Sequence, residues 1–169
     1  MIPATQALLA ELEAESAATR RLLERVPADR LAWKPHEKSM TLGQLAHHVA
    51  GIPGRLCELA RQDGMDASQA NFTPPQPESA EGVLATFDES LTTAHEYMSG
   101  LDEAAATAVW RMRAGEREIF ALPRLAFLRT LVFNHLYHHR GQLTVYLRLL
   151  DVPVPATYGR SADESAFGG

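Results

Sequence analysis

The chain has one cysteine, no long apolar run and no excess of positive charge, and each shortage closes off a class of protein. A single cysteine, Cys57, among 169 residues rules out an internal disulfide and with it the stapled secreted scaffolds, so a reducing cytoplasm is the expected setting. No window approaches the roughly 18 to 20 consecutive apolar residues that a membrane span needs. The amino terminus, MIPATQALLAELEAE, has neither a basic stretch nor a sustained apolar one before Glu11, Glu13 and Glu15, so it does not read as a signal peptide. Lys and Arg total 16 against 21 Asp and Glu, a net charge of -5, and the basic residues are scattered. Nothing in that distribution draws a phosphate backbone, so neither nucleic acid nor a membrane is an expected partner.

What is present is ordinary for a globular chain: 46% hydrophobic and 22% charged residues, in a length that buries one good core and not two. We expect a single domain over residues 1–169, with a polar tail from Asp151 to Gly169. Four stretches carry helical periodicity, each bounded by residues that stop a helix. The first runs from about Ala4 to Val26, with Leu8, Leu9, Leu12, Leu22, Leu23 and Val26 on one stripe, and ends at Pro27. The second starts near Thr41, where Thr41 and Gln44 fit a capping box, and continues through Leu45, Val49, Ile52, Leu56 and Leu59; Gly51, Pro53 and Gly54 should bend it.

A loop from about Gln62 to Ser79 holds Pro74, Pro75 and Pro77, whose rings forbid a continuous helix. In the third helix Leu84, Phe87, Leu91, Ala94, Met98 and Leu101 recur at alternating threes and fours, the seam of a helix packed nearly parallel to its neighbours. The stretch from Ala108 to Phe120 alternates apolar and polar around Ala114 and Gly115, and reads as a small hairpin or an extended crossover. Pro123 suits the first turn of a fourth helix that runs to about Leu150. These elements describe an all-α protein, a four-helix bundle with long crossover connections and that hairpin before the last helix.

Seven histidines can be sorted by direction, since successive helical residues turn by about 100°. In the fourth helix Val132, Leu136, Leu143, Tyr146, Leu147 and Leu150 define the apolar face; His139 lies roughly 30° and His135 roughly 70° from its centre, while His138 lies about 130° away. His135 and His139, four apart, can therefore converge on one ion. Two ligands rarely hold a divalent metal tightly, and the second helix offers a third: His48 lies roughly 80° from that helix's apolar centre, whereas His47 points nearly opposite. Cys57 falls about 180° round the helix from His48 and reads as a small buried hydrophobe. His36, in a loop, and His95, at the edge of the third-helix seam, read as solvent-facing.

The run WKPHEKSMTLGQLAHHVAGIP, with PRLAFLRTLVFNHLYHHRGQLTVYLRLLDVPVP and ATYGRSADES after it, resembles the DinB family of the DinB/YfiT-like metalloenzymes. The most specific part is the NH-x-x-HHRGQL block with the VPVP and YG that follow; residues 62–122 are the weakest. The resemblance implies a bundle in up-down-down-up order that forms a homodimer. It also implies a divalent ion held by His48, His135 and His139, the three that helical angles also select. It implies further that the metal activates a low-molecular-weight thiol, as in the S-transferases and the thiol-dependent isomerase of the wider superfamily.

Three imidazoles leave an ion with open positions, as catalytic sites do and closed structural zinc sites do not, and three nitrogen ligands suit zinc or nickel. The expected function is thiol-dependent S-transfer to a small-molecule substrate, with Gln142, Tyr146 and Arg140 as pocket groups; for Arg140 a salt bridge is the plainer reading. Metal-dependent hydrolysis of a small amide or ester is the alternative. It needs a general base, and with no glutamate between His135 and His139 as in H-E-x-x-H, Asp88 or Glu96 would have to serve. A non-catalytic, metal-stabilised binding module is the third reading.

Overall fold

The computed structural model describes residues 2–165; residues 166–169, the end of the expected tail, lie outside the described residues. Helix α1 spans Pro3–Leu23, with Pro3 in the first turn, where its missing N–H costs nothing. It ends a turn short of the expected Val26, which is still buried. Helix α2 spans Leu42–Arg61. Its capping box forms as the sequence suggests: Gln44 N–H donates to Thr41 Oγ1 at 3.1 Å, and Thr41 N–H donates to Gln44 Oε1 at 3.0 Å. Pro53 lies inside this helix, and the next amide, Gly54 N–H, donates to Ser90 Oγ at 2.7 Å on α3, Ala80–Gly100. A Cβ on Gly54 would meet Ser90 Cα at 2.7 Å, so glycine here is what lets α2 and α3 approach closely.

The all-α expectation needs correction, because the chain also forms a three-stranded sheet in the order β1-β2-β3. Strands β2, Val109–Ala114, and β3, Arg117–Pro123, form an antiparallel hairpin, the first of the two outcomes the alternation allowed, turning at Gly115 with φ +60°. Strand β1, Gly64–Asp66, pairs in parallel with β2 inside what the sequence presents as a loop. Three residues are too few to show alternation, and the contact depends on Gly64, whose missing side chain would meet the Arg111 carbonyl. A short helix α4, Glu103–Thr107, capped by Asp102, precedes the hairpin.

The last helix also departs from a single regular run. Pro123 closes β3, and the helix then proceeds as α5, Arg124–Phe127, a π-helical segment Leu128–Asn134, and α6, His135–Leu149. Phe127 with Val132, and Leu128 with Phe133, are buried five apart, the hydrogen-bonding step of a π-helix, while Leu128, Val132 and Leu136 are also buried at the α-helical spacing of four; Leu136, Leu143 and Leu147 continue that α-helical period. A 3.6-residue template places Val132 correctly and hides this change.

The four long helical segments pack in a ring, α1 against α3, α3 against α2, α2 against α6 and α6 against α1. One apolar cluster gathers Leu22, Leu42, Val49, Phe87, Leu136 and Leu143, the other Cys57, Met98, Trp110, Phe127, Val132 and Phe133, and Leu56 and Leu91 pack against both. Residues 151–165 form no helix but are held down: Val154 is buried, and Asp163 pairs with Arg148 on α6. No helix among the described residues is long and apolar enough to cross a membrane.

Candidate metal centre

His48 stands on α2, and His135 and His139 stand one turn apart at the start of α6, immediately after the π-helical segment. The structure brings the three together. His135 Nε2 lies 3.3 Å from His48 Nε2 and 2.8 Å from His139 Nε2, and one ligand atom of each ring falls within 4.8 Å of the others. Two nitrogens sharing an ion at about 2.05 Å would lie about 2.9 Å apart at a right angle and about 3.3 Å apart at the tetrahedral angle. The two separations that involve His135, 2.8 and 3.3 Å, match that pair of values.

Hydrogen bonding between His135 and His139 does not account for their 2.8 Å approach. Gln142 Oε1 accepts from His139 Nδ1–H at 2.7 Å, and the His135 ring, with Nε2 turned to the other histidines, also hydrogen-bonds the Leu131 backbone. With those protons on the outer nitrogens, the two Nε2 lone pairs point at each other. A shared cation relieves that opposition, and outer hydrogen bonds of this kind fix the ring orientation of metal-binding histidines.

Electrostatics keep the rings neutral. Desolvation, followed by repulsion from His139, His135 and Arg55, pulls His48 down to about 3. Desolvation, with His139 and His138 adding to it and the Leu131 bond opposing, pulls His135 down to about 4. His139 is lowered as well, by desolvation against the bond to Gln142. Neutral imidazole is the form a metal ion requires.

His48 and His135 form one wall of a cavity of about 380 Å³. Ile52, Leu56, Leu59, Met65, Met112 and Leu131 supply apolar walls, and residues 70–74 run along the rim, with Phe72 65% exposed. Among the described residues no carboxylate lines it, and its one permanently charged side chain is Arg55. Desolvation lowers the pKa of that guanidinium.

The other residues singled out in the sequence lie elsewhere. Gln142 bonds His139 from outside the cavity. Tyr146 O–H donates to the Met40 carbonyl at 3.2 Å, with its ring edge-on to Trp33. Arg140 is 3% exposed and forms an ion pair with Glu15 at 2.6 Å, while also donating to Thr19 Oγ1 and Tyr158 Oη; it ties α6 to α1 and does not line the cavity. His138 is exposed, as are His36 and His95. His47 faces a groove between α2 and α3, with a buried Nδ1 that has no hydrogen-bond partner among the described residues. Burial pushes the Cys57 thiol up to about 12, which makes it unreactive. Asp88 pairs with Arg20, and Glu96 lines the α1–α3 groove; neither reaches the histidine cavity. The sequence reading passed over Arg55, although a residue seven beyond His48 stands on the same helix face.

Fold and site together define a helical protein with three clustered histidine nitrogens that could hold one metal ion, at the junction of its second and last helices. The chain belongs to the DinB family, whose sequence profile matches residues 1–167. It is 29% identical over 161 residues to an uncharacterized protein, YrdA, of Bacillus subtilis (strain 168), an alignment covering 92% of this chain and 89% of that one. Its fold is similar to that of a DinB-like protein from Bacillus cereus ATCC 10987, with a TM-score of 0.69, 24% identity, and coverage of 90% of this chain and 97% of that one. A member of the same family from Exiguobacterium sibiricum 255-15 gives a TM-score of 0.68 at 21% identity, covering 92% and 97%.

Proposed function

We propose that this chain is a divalent-metal-dependent enzyme that transfers a low-molecular-weight thiol to an electrophilic small molecule. The observation that carries the reading is the convergence of three neutral imidazole nitrogens beside an apolar cavity that no carboxylate lines. A zinc or nickel ion held by His48, His135 and His139 would supply the positive charge that lowers a thiol pKa toward neutrality. The chain's own groups do the rest. Gln142 and the Leu131 backbone hold two of the rings with Nε2 directed inward, and Ile52, Leu56 and Leu131 exclude water and receive the apolar body of the substrate. The thiol proton leaves to solvent, the sulfur electron pair forms a bond to an electrophilic carbon, and the leaving group departs with its bonding pair.

Hydrolysis would need a general base at the cavity, and the absence of a lining carboxylate disfavours it. The same reading takes residues 1–169 as one domain of a cytoplasmic homodimer. It takes the helices in up-down-down-up order, which suits the long connection 62–79 between the adjacent helices α2 and α3. The test is to incubate tag-free protein, loaded with zinc or nickel, with a panel of bacterial thiols and an electrophile such as 1-chloro-2,4-dinitrobenzene. Conjugation that disappears on chelation and in His135→Ala is expected; no metal-dependent conjugation with any thiol would overturn the proposal.

A further inference from the structure

We infer that Arg55 is the carboxylate-binding residue of the histidine cavity, so that the thiol or its acceptor carries a carboxylate on an otherwise apolar body. This rests on the thiol-transfer reading of the site and adds the chemical class of what it binds. Most arginines of the chain sit against an acidic side chain, but among the described residues no carboxylate lies within ion-pair distance of Arg55. Its donors reach only the carbonyls of its own helix, His48 O at 3.3 Å and Gly51 O at 3.4 Å, and the edge of the His48 ring, with Nη2 3.5 Å from Nδ1. A guanidinium has five N–H groups in a planar fork shaped for a carboxylate, and the Nη1 pair has no partner among the described residues.

Its position is built by the sequence around it. Gly51 has no side chain, and a Cβ there would lie 2.6 Å from Arg55 Nε and 2.7 Å from Nη2, so the glycine leaves the guanidinium room to fold back along α2 toward His48. Charge argues the same way. A divalent ion on three neutral rings, with a guanidinium beside them and no acid among the described lining residues, would leave the cavity positive; Glu58 and Glu89 border the neighbouring α2–α3 groove that Arg55 also lines, outside ion-pair distance of it. An anion bound there answers both cations. One arginine on apolar walls matches a carboxylate better than a phosphate, which draws on clustered backbone amides at a glycine-rich loop or helix start that this lining lacks.

The test uses the full, zinc-loaded chain and calorimetric titration. One arm compares 3-mercaptopropionate with 2-mercaptoethanol and places the carboxylate on the thiol; the other compares cinnamate with cinnamyl alcohol and places it on the acceptor. The wild-type chain should prefer the carboxylate by about tenfold in one arm, with the preference falling below about twofold in Arg55→Met while the neutral partner binds as before. Gly51→Ala, which keeps the arginine but displaces it, should lose the preference too, and unfolding midpoints establish that both variants are folded. An undiminished preference in Arg55→Met, or none in either arm of the wild type, overturns the inference. The two readings fail separately. An Arg55-dependent preference in a protein that conjugates no thiol sinks the transferase reading alone, whereas conjugation with the preference intact in Arg55→Met sinks only the role of Arg55.

Discussion

At the scale of the residue, the site depends on keeping imidazoles uncharged. The unfolded chain binds protons near the ordinary histidine pKa of 6.5, whereas the folded rings of His48 and His135 bind them only near 3 and 4. Unfolding therefore takes up protons between those values, and stability falls as pH falls through that window. The urea midpoint of metal-free protein should drop between about pH 7.5 and about pH 5, and drop less in His48→Gln, which has no ring to protonate. Equal slopes in the two proteins would mean that His48 is not held neutral by the fold. The positions of His135 and His139 were legible because, with Leu143 and Leu147, they lie in the regular part of the last helix, where 100° per residue holds. The situation of Arg55 was not. An unpaired arginine is recognised by what fails to approach it, and that depends on the whole fold.

At the scale of the element, glycine separates two kinds of helix position. Gly54→Ala forces a Cβ to 2.7 Å from the Ser90 backbone, where neither helix can yield cheaply. A loss of about 1–3 kcal/mol is expected in chemical denaturation. Gly141→Ala, in α6 with nothing within 4 Å of its new Cβ, should be neutral or stabilise by about 0.5–1 kcal/mol through helix propensity alone. The reverse order would show that α2 and α3 do not pack as described. Local signals read well where they are local: Thr41 and Gln44 announced the start of α2, and the alternation about Gly115 announced the hairpin. Strand β1 has too few residues to carry a pattern and exists because β2 is there to pair with it. The π-helical segment had no mark a 3.6-residue search could see, because Leu128, Val132 and Leu136 are buried at the α-helical spacing of four.

At the scale of the whole molecule, the three histidines join helices far apart in sequence, α2 and α6, and the packed ring of helices fixes the distance between them. An ion bound there would cross-link the fold as well as equip the cavity, so binding must register in stability. The buried pair of Arg140 with Glu15, on α6, and the part-exposed pair of Arg129 with Glu11, in the π-helical segment before it, fasten the last helix to α1 while its histidines face α2. The central claim is that His48, His135 and His139 together hold one metal ion. It is tested most directly by zinc titration of tag-free wild type and the three single alanine variants, following stoichiometry and unfolding temperature together. Wild type should bind one ion per chain and gain about 5–10 °C at a zinc concentration about a hundredfold above the dissociation constant, and each variant should lose both. Wild-type zinc affinity retained in any one of the three would contradict the account.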